Sequence, residues 1–254
     1  MGFVKTPAEL DRYYRHGARK FTGAKILGIL FETRQEIASR LIPPPLVPAA
    51  APTGMIFIAE YPVTSLGPGY KEAALLLNCT YNGEQGSYCL SMPIESEESR
   101  LYNGRDIFGF PKKMAAIHLE KNGSQARGWV ERHGIRFLEI NAEMTDTIPE
   151  MPELGASFLF KASPRIDLEP GFDGPVYLCR QKTDIDMKHL EIGAAEILLT
   201  WSEADPWAEM DNPSVIMAFY LVSDNTMQPG NILTEVDGDA YLPYYFKMTD
   251  FYQG

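Results

Sequence analysis

The chain has 254 residues, of which 45% are hydrophobic, and its formal net charge is −11. This length and composition allow a sizeable core, whereas the acidic balance argues against nucleic acid or anionic lipid as the main partner, because both require a basic surface. No apolar run is long enough to span a membrane, and the N-terminus lacks the apolar region of a secretory signal. Three cysteines without CxxC spacing favour free thiols in a reducing compartment, so we expect a cytoplasmic protein.

The first predicted elements are a strand and a helix. The apolar run "AKILGILF" (24–31) predicts a strand. The stretch "FETRQEIASRLIPPP" (31–45) predicts a helix that Thr33 caps in a capping-box pattern. Ile37 and Leu41 would form its buried stripe, and three prolines end it.

Two further strands and a helical block are predicted next. The run "TGMIFIAEYPV" (53–63) predicts a strand that Pro62 limits in length. The runs "YKEAALLLNCT" and "GSYCLSM" flank the dipeptide Asn82-Gly83, which favours a β-hairpin. The acidic block "PIESEESRLYNGRDIFGF" (93–110) predicts short helical turns with Ser96 as a cap.

The rest of the chain has the pattern of an antiparallel sheet. The runs "MAAIHLE", "QARGWVE" and "IRFLEINAEM" are separated by turn residues and predict a meander. The runs "ASFLFKASPRID", "PVYLCRQKTDIDMKHLEIGAAEILLTW" and "SVIMAFYLVSDNTM" continue the β character, although "AEILLTW" fits a helix or a strand. Without a repeat or a linker, residues 1–254 are predicted to form one α+β domain with mainly antiparallel strands.

Common motifs of cofactor and metal enzymes do not occur in the sequence. It contains no GxGxxG after a strand, no P-loop, no HExxH and no GxSxG. The four histidines are scattered without metal-ligand spacing, and His118 is interpreted as a structural histidine. The polar cluster at 184–191 is interpreted as a solvated face. We therefore predict neither a metal nor an organic cofactor.

The stretch "GRDIFGFPKKMAAI" (104–117) places Lys112 and Lys113 between two apolar runs. A lysine amine attacks a carbonyl only when it is neutral, and at the ordinary pKa roughly one amine in a few thousand is neutral at pH 7. Lowering the pKa by about 3 requires roughly 4 kcal/mol of destabilisation of the ammonium. Burial and a neighbouring like charge can both supply it. If the two residues are extended, their side chains point to opposite faces and repel by only about 2 kcal/mol. Burial among the flanking apolar residues is therefore expected to supply at least half of this destabilisation. The alternative interpretation of the Lys-Lys pair is a solvated basic turn.

The segment "GRDIFGFPKK" resembles the active-site segment of the acetoacetate decarboxylase family. "SLGPGYKE" (65–72) resembles the Gly-x-Tyr-x-Glu segment of that family, "LFETRQEIASRLIPPPL" resembles its opening strand, helix and prolines, and "YLPYYFKMTDFY" (241–252) resembles its closing strand and tail. The resemblance implies a closed β-barrel or double β-cone, a small keto-acid or other carbonyl substrate, and a homo-oligomer.

The resemblance also implies site residues. Lys112 would be the Schiff-base nucleophile, Lys113 the neighbour that perturbs it, and Glu72 the pocket carboxylate for proton handling or substrate orientation. Met92 and Phe110 match apolar pocket positions, which core packing would explain equally well.

Two further substrate-binding candidates lie near the chain ends. The arginine with which family decarboxylases engage the substrate carboxylate aligns with Ala24 or Lys25, so Lys25 is the candidate there, although a lysine does not replace a bidentate arginine. Arg19 and Arg34 are close by in sequence. Tyr252 is a candidate acid, together with Tyr244 and Tyr245, for which aromatic packing is the alternative.

Three functions remain open. The first is a lyase that cleaves the C–C bond of a β-keto acid through a Lys112 imine and releases CO₂. The second is an aldolase-dehydratase that condenses pyruvate or a similar keto acid with an aldehyde through the lysine enamine. The third is a barrel that binds a small carbonyl or apolar ligand without turnover.

Overall fold

A computed structural model describes residues 2–15, 17–150 and 154–250. Within these ranges the chain forms fourteen β-strands and four α-helices. The strands are β1 Arg19–Glu32, β2 Val47–Pro48, β3 Thr53–Thr64, β4 Gly67–Tyr81, β5 Glu84–Glu95, β6 Lys112–Met114, β7 Ala116–Asn122, β8 Gln125–Arg132, β9 Ile135–Thr147, β10 Ala156–Lys161, β11 Val176–Gln181, β12 Thr183–Leu199, β13 Ser214–Met227 and β14 Asn231–Val236. The helices are α1 Pro7–Tyr14, α2 Gln35–Leu41, α3 Glu98–Leu101 and α4 Gly238–Tyr245, and a π-helical segment, Tyr102–Asp106, follows α3.

All of these strands belong to one sheet. Its order is β14-β11-β10-β5-β4-β3-β1-β13-β12-β9-β8-β7, with β2 beside β4 and β6 beside β5. Neighbouring strands are antiparallel except β10 with β5 and β5 with β6. This confirms an α+β architecture dominated by antiparallel strands. Among the described residues the order has two ends, β14 and β7, so closure into a barrel or double cone stays a prediction.

The central strands bury apolar side chains on both faces of the sheet. Leu27, Ile56 and Leu75 belong to the main core, to which α2 contributes Ile37 and Ala38. Alternate residues of the same strands belong to two smaller clusters on the other face; they include Ile26, Ala59, Leu76 and Leu221. Burial on both faces explains why these strands have continuous apolar runs instead of a polar–apolar alternation.

Several predicted elements are confirmed. The hairpin joins β4 to β5 through Asn82 and Gly83, whose φ angles of 48° and 82° suit a two-residue hairpin turn. The meander forms as β7, β8 and β9. Helical turns occupy 98–106, and the ambiguous "AEILLTW" enters β12 as strand.

Two local predictions are wrong. Thr33 does not cap α2, because the helix begins one residue later with Arg34 at the N-cap, and the Thr33 hydroxyl donates to the Met210 carbonyl instead. Pro62 does not limit β3, which continues to Thr64. The ladder between β3 and β1 is interrupted at this point, so the missing N–H of Pro62 leaves no gap in a regular ladder.

The C-terminal segment also differs from its prediction. Residues 241–245, predicted as part of a closing strand, lie in α4, whose N-cap Asp237 accepts hydrogen bonds from the Asp239 and Ala240 amides. Tyr241 is buried and stacks on Phe160 with ring centres 4.4 Å apart. In the described part of the chain, no helix has the length and apolar character needed to cross a membrane.

Candidate active site

Lys112 begins β6, the short strand that pairs in parallel with β5 opposite Met92. Its side chain is 6% exposed and passes over Gly104 of the π-helical segment. A Cβ at position 104 would lie 2.1 Å from Lys112 Cε. Glycine at this position therefore leaves the space in which the lysine chain extends.

Lys112 forms a buried ion pair with Glu72 of β4. Lys112 Nζ donates to Glu72 Oε2 at 2.6 Å, and the Glu72 side chain is 9% exposed. The hydroxyls of Tyr61 and Tyr70 also donate to this carboxylate, each at 3.1 Å. Three donors on three elements thus fix Glu72 beside the amine.

The two tyrosines remain protonated donors over a wide pH range. Burial, reinforced by the negative charge of Glu72, raises the pKa of Tyr61 well above its usual range. The same two causes, in the same order, raise the pKa of Tyr70. The two tyrosine hydroxyls therefore remain donors to Glu72 near neutral pH.

The ion pair opens onto a cavity of about 510 Å³. Lys112 Nζ lies 5.7 Å from the ring centre of Tyr70 and 5.9 Å from that of Phe110. The remaining walls are mostly apolar and include Phe21, Ile26, Leu30, Met55, Phe57, Leu66, Leu76, Met92, Phe108, Met217, Phe219 and Leu221. Charge interactions in mostly apolar surroundings of this kind are stronger than in bulk water.

The structure brings together four of the predicted site residues. Lys112, Glu72, Phe110 and Met92 all line this cavity. Of the two apolar runs that flank the lysines in the sequence, only the one before them lies at the cavity. Phe108 and Phe110 line the cavity, whereas Met114 is 39% exposed and the two alanines after it are not buried. The other neighbours of the Lys112 side chain include Tyr70, which is distant in sequence, and Gly104, which begins the same segment.

Lys113 points away from the cavity. Its Nζ donates to the Ala204 carbonyl. It also forms ion pairs with Asp205 Oδ1 at 2.9 Å and with Asp250 Oδ1 at 3.5 Å. Arg132 bridges the same two carboxylates. These carboxylates offset the Lys113 charge, which weakens the predicted repulsion of Lys112. Its role as a perturbing neighbour stays a prediction.

Lys25, predicted as a substrate-binding residue, does not line the cavity. It lies on the exposed side of β1 and forms an ion pair with Glu60 at 3.4 Å, because the alternation of the strand points it away from buried Ala24 and Ile26. Arg34 pairs with Asp211 and is also outside the cavity lining. Tyr252 lies outside the described residues.

Two arginines that the sequence did not identify as site residues line the cavity, Arg19 of β1 and Arg100 of α3. Arg100 is 3% exposed. Its two terminal nitrogens donate to the Leu66 and Pro68 carbonyls, whereas its buried Nε has no hydrogen-bond partner in the described part of the chain. Its guanidinium lies 5.7 Å from the Tyr70 ring centre, the same ring that Lys112 faces. The only sequence signal for Arg100 was its position as a charged residue inside the predicted helical block.

Comparison with known proteins agrees with the resemblance. The family model for acetoacetate decarboxylase matches residues 1–236. An acetoacetate decarboxylase of Burkholderia multivorans is 26% identical over an alignment of 226 residues that covers 85% of this chain and 89% of that protein.

Solved structures share the fold. The crystal structure of acetoacetate decarboxylase from Legionella pneumophila has a TM-score of 0.78 at 19% identity, covering 86% of this chain and 88% of that chain. The enduracididine biosynthesis enzyme MppR, complexed with the condensation product of pyruvate and imidazole 4-carboxaldehyde, has a TM-score of 0.73 at 16% identity, covering 86% and 89%. The shared architecture includes the mainly antiparallel sheet that holds the cavity.

Proposed function

Because the chain belongs to the acetoacetate decarboxylase family, we propose that it is a lyase that cleaves a β-keto acid through a Schiff base at Lys112 and releases CO₂. The observation that carries this proposal is the buried pair of Lys112 and Glu72, 2.6 Å apart at the wall of an apolar cavity. An isolated buried ion pair contributes little to stability, whereas an amine beside a carboxylate is suited to imine formation.

Each step has a group to carry it. Glu72 accepts a proton from the Lys112 ammonium, and the neutral amine attacks the ketone carbon. Loss of water gives a protonated imine, and the electrons of the breaking C–C bond flow to its nitrogen as CO₂ leaves. Protonation of the enamine carbon and hydrolysis release the ketone and restore the lysine. The imine itself is the electron sink, so the proposed reaction uses neither a metal nor an organic cofactor.

The substrate carboxylate needs a cationic partner other than the family arginine, whose position aligns with Ala24, which is buried, or with Lys25, which does not line the cavity. We assign this role to Arg100. Arg100 lines the cavity, and its guanidinium, like the Lys112 ammonium, lies 5.7 Å from the Tyr70 ring centre. A guanidinium forms charge-assisted hydrogen bonds with a carboxylate, which are roughly twice as strong as those between neutral groups.

Aldol condensation followed by dehydration is the second candidate. The fold relation to MppR with its bound condensation product supports it, and so does a cavity with room for a second reactant. In that reaction the Lys112 enamine attacks an aldehyde. The third candidate, a binding barrel without turnover, needs the same cavity but no reactive amine.

Trapping of the imine separates these candidates. The protein is incubated with acetoacetate, or with pyruvate and an aldehyde, then reduced with borohydride, and the adduct is located by peptide mass. We expect the adduct at Lys112. CO₂ release from acetoacetate identifies the decarboxylase, and enone formation identifies the aldolase-dehydratase.

Lys247 provides an internal control for this experiment. Burial lowers its pKa to about 7, so it is a second amine with a neutral fraction, but it does not line the cavity. An adduct at Lys247 in place of Lys112, or no adduct at all, would overturn both enzymatic candidates and leave the binding barrel.

A further inference from the structure

The cavity beside Lys112 is much larger than acetoacetate requires. A cavity of about 150 Å³ is sufficient for a six-carbon ring such as benzene. Acetoacetate has only one more non-hydrogen atom than benzene, whereas the cavity measures about 510 Å³. Roughly two thirds of the space therefore lies beyond a bound acetoacetate.

The strand register shows where this additional space lies. Glu72 belongs to a row of paired residues that continues through Ala59 and Ile26 to Leu221. Residues two positions further along each strand form a second row, which includes Phe57 and Phe219. A third row consists of Leu76, Met55, Leu30 and Met217. All three rows share one face of the sheet, because side chains alternate along a strand.

These rows form a long apolar groove, which we call the β1–β13 groove. It extends three strands across and four residues along from Glu72 to Met217, or about 14 Å by about 13 Å for a flat sheet. Ile26, Leu30, Met55, Phe57 and Phe219 line it. At the centre of the second row, Gly28 leaves room for the Phe219 ring, which a Cβ there would meet at 2.2 Å. The groove floor is thus aromatic and aliphatic, and it carries no charge beyond the first row.

We propose that the substrate is a β-keto acid whose ketone carbon carries a large apolar group, a chain of five or more carbons or an aromatic ring, that lies in the β1–β13 groove. This inference rests on the proposed function of Lys112 and goes beyond it by naming the substrate class. The reaction converts R–CO–CH₂–COO⁻ and one proton into the methyl ketone R–CO–CH₃ and CO₂. Lys112 forms and loses the imine within the cycle, so the atoms and electrons balance without a further reactant.

The groove makes chain length the variable to measure. A fully buried methylene group strengthens binding about fourfold. The four methylenes that distinguish 3-oxooctanoate from acetoacetate set an upper limit of roughly 200-fold. We expect kcat/KM for CO₂ release to rise at least about tenfold from acetoacetate through 3-oxohexanoate to 3-oxooctanoate in the unmodified chain.

A matched pair of variants tests the location. Met217→Trp fills the third row of the groove, and Ile216→Trp adds the same ring at the next residue, which is 57% exposed and outside the cavity lining. We expect Met217→Trp to lower the ratio of kcat/KM for 3-oxododecanoate, whose nine-carbon chain is long enough to approach the third row, to that for acetoacetate at least tenfold, and Ile216→Trp to leave this ratio within twofold. Borohydride trapping of acetone at Lys112 verifies that both variants retain a folded site.

The outcomes distinguish the two proposals. If acetone is trapped and CO₂ is released from acetoacetate, but kcat/KM is flat or falls with chain length, the substrate class is wrong and the function of Lys112 stands. Equal ratios in the two tryptophan variants would also overturn the assignment to the groove. If neither acetone nor any β-keto acid yields an adduct at Lys112, the proposed function fails, and the substrate class fails with it.

Discussion

Lys112 and Lys113 are neighbours in β6, yet their side chains point in opposite directions and have different surroundings. Within the described residues, Lys112 has one carboxylate partner, Glu72, at the wall of an apolar cavity. Lys113 has two, Asp205 and Asp250, which it shares with Arg132. The difference follows from the alternation of side chains along a strand. It teaches that the first lysine faces the cavity at which we propose the chemistry, whereas the second is paired with carboxylates from segments distant in sequence.

Exchange of each lysine for methionine tests this comparison most directly. Lys112→Met should lower kcat/KM on the order of 10⁴-fold and abolish the borohydride adduct, because the nucleophile is lost. Lys113→Met should keep the adduct and most of the activity but lower the melting temperature, because buried carboxylates lose a partner. Steady-state kinetics, peptide mass and thermal unfolding measure the three effects. A large loss of activity with intact folding in Lys113→Met would instead support the predicted influence of Lys113 on Lys112.

Gly104→Ala should disturb the position of Lys112 relative to Glu72 and leave the ion pairs of Lys113 unchanged. The new methyl group would displace the lysine chain from Glu72, because a Cβ there lies 2.1 Å from Lys112 Cε. A displacement of about 1 Å can cost roughly 100-fold in rate, so we expect kcat to fall by about that factor. Gly174→Ala is the matched control, since a Cβ at that position meets no atom within 4 Å. Equal rates in the two variants would contradict the role given to the space above Gly104.

Asp205→Asn should lower the stability of the fold by removing an ion-pair partner of Lys113, and it should leave the cavity unchanged. The Asp205 side chain is fully buried between Lys113 and Arg132, and loss of one partner in a buried ion pair costs about 3–5 kcal/mol. For a chain of this size that lowers the melting temperature by roughly 6–20 °C. Asp211→Asn is the control, because its pair with Arg34 is exposed and contributes at most about 1 kcal/mol. Equal melting temperatures would show that this network does not stabilise the fold.

The smallest expected effect is a pH dependence of the stability that Asp250, an ion-pair partner of Lys113, contributes. Hydrogen bonds from Arg132 and His133 and the charges of Arg132 and Lys113 hold the pKa of Asp250 well below its usual 3.8. A carboxyl with a depressed pKa contributes stability that is complete above its usual pKa and is lost as the pH falls below it. The difference in melting temperature between the unmodified chain and Asp250→Asn should therefore be smaller at about pH 3 than at about pH 5. A difference that widens between these two pH values would contradict this sign.

Much of the fold was predictable because the relevant signals are local. Asn82-Gly83 specifies its hairpin through backbone conformation, and the apolar runs of β1, β3 and β13 indicate burial on both faces. The failures at Thr33, Pro62 and the C-terminal segment have the opposite origin. A distant carbonyl, an interrupted ladder and the packing of Tyr241 on Phe160 decided them, and none of these can be read from neighbouring residues.

The sequence by itself determined the Pro-Lys-Lys segment, the family to which it points, and the residues Lys112, Glu72, Phe110 and Met92 that meet at one cavity. Only the tertiary structure decided which charges face the cavity. It placed Lys25 outside, Arg100 inside, and two carboxylates against Lys113. The physical reason is that a side chain's partners depend on strand register and on packing between distant segments, such as those of Lys113 and Asp250, which are 137 residues apart, whereas sequence patterns report only on the face to which a residue points.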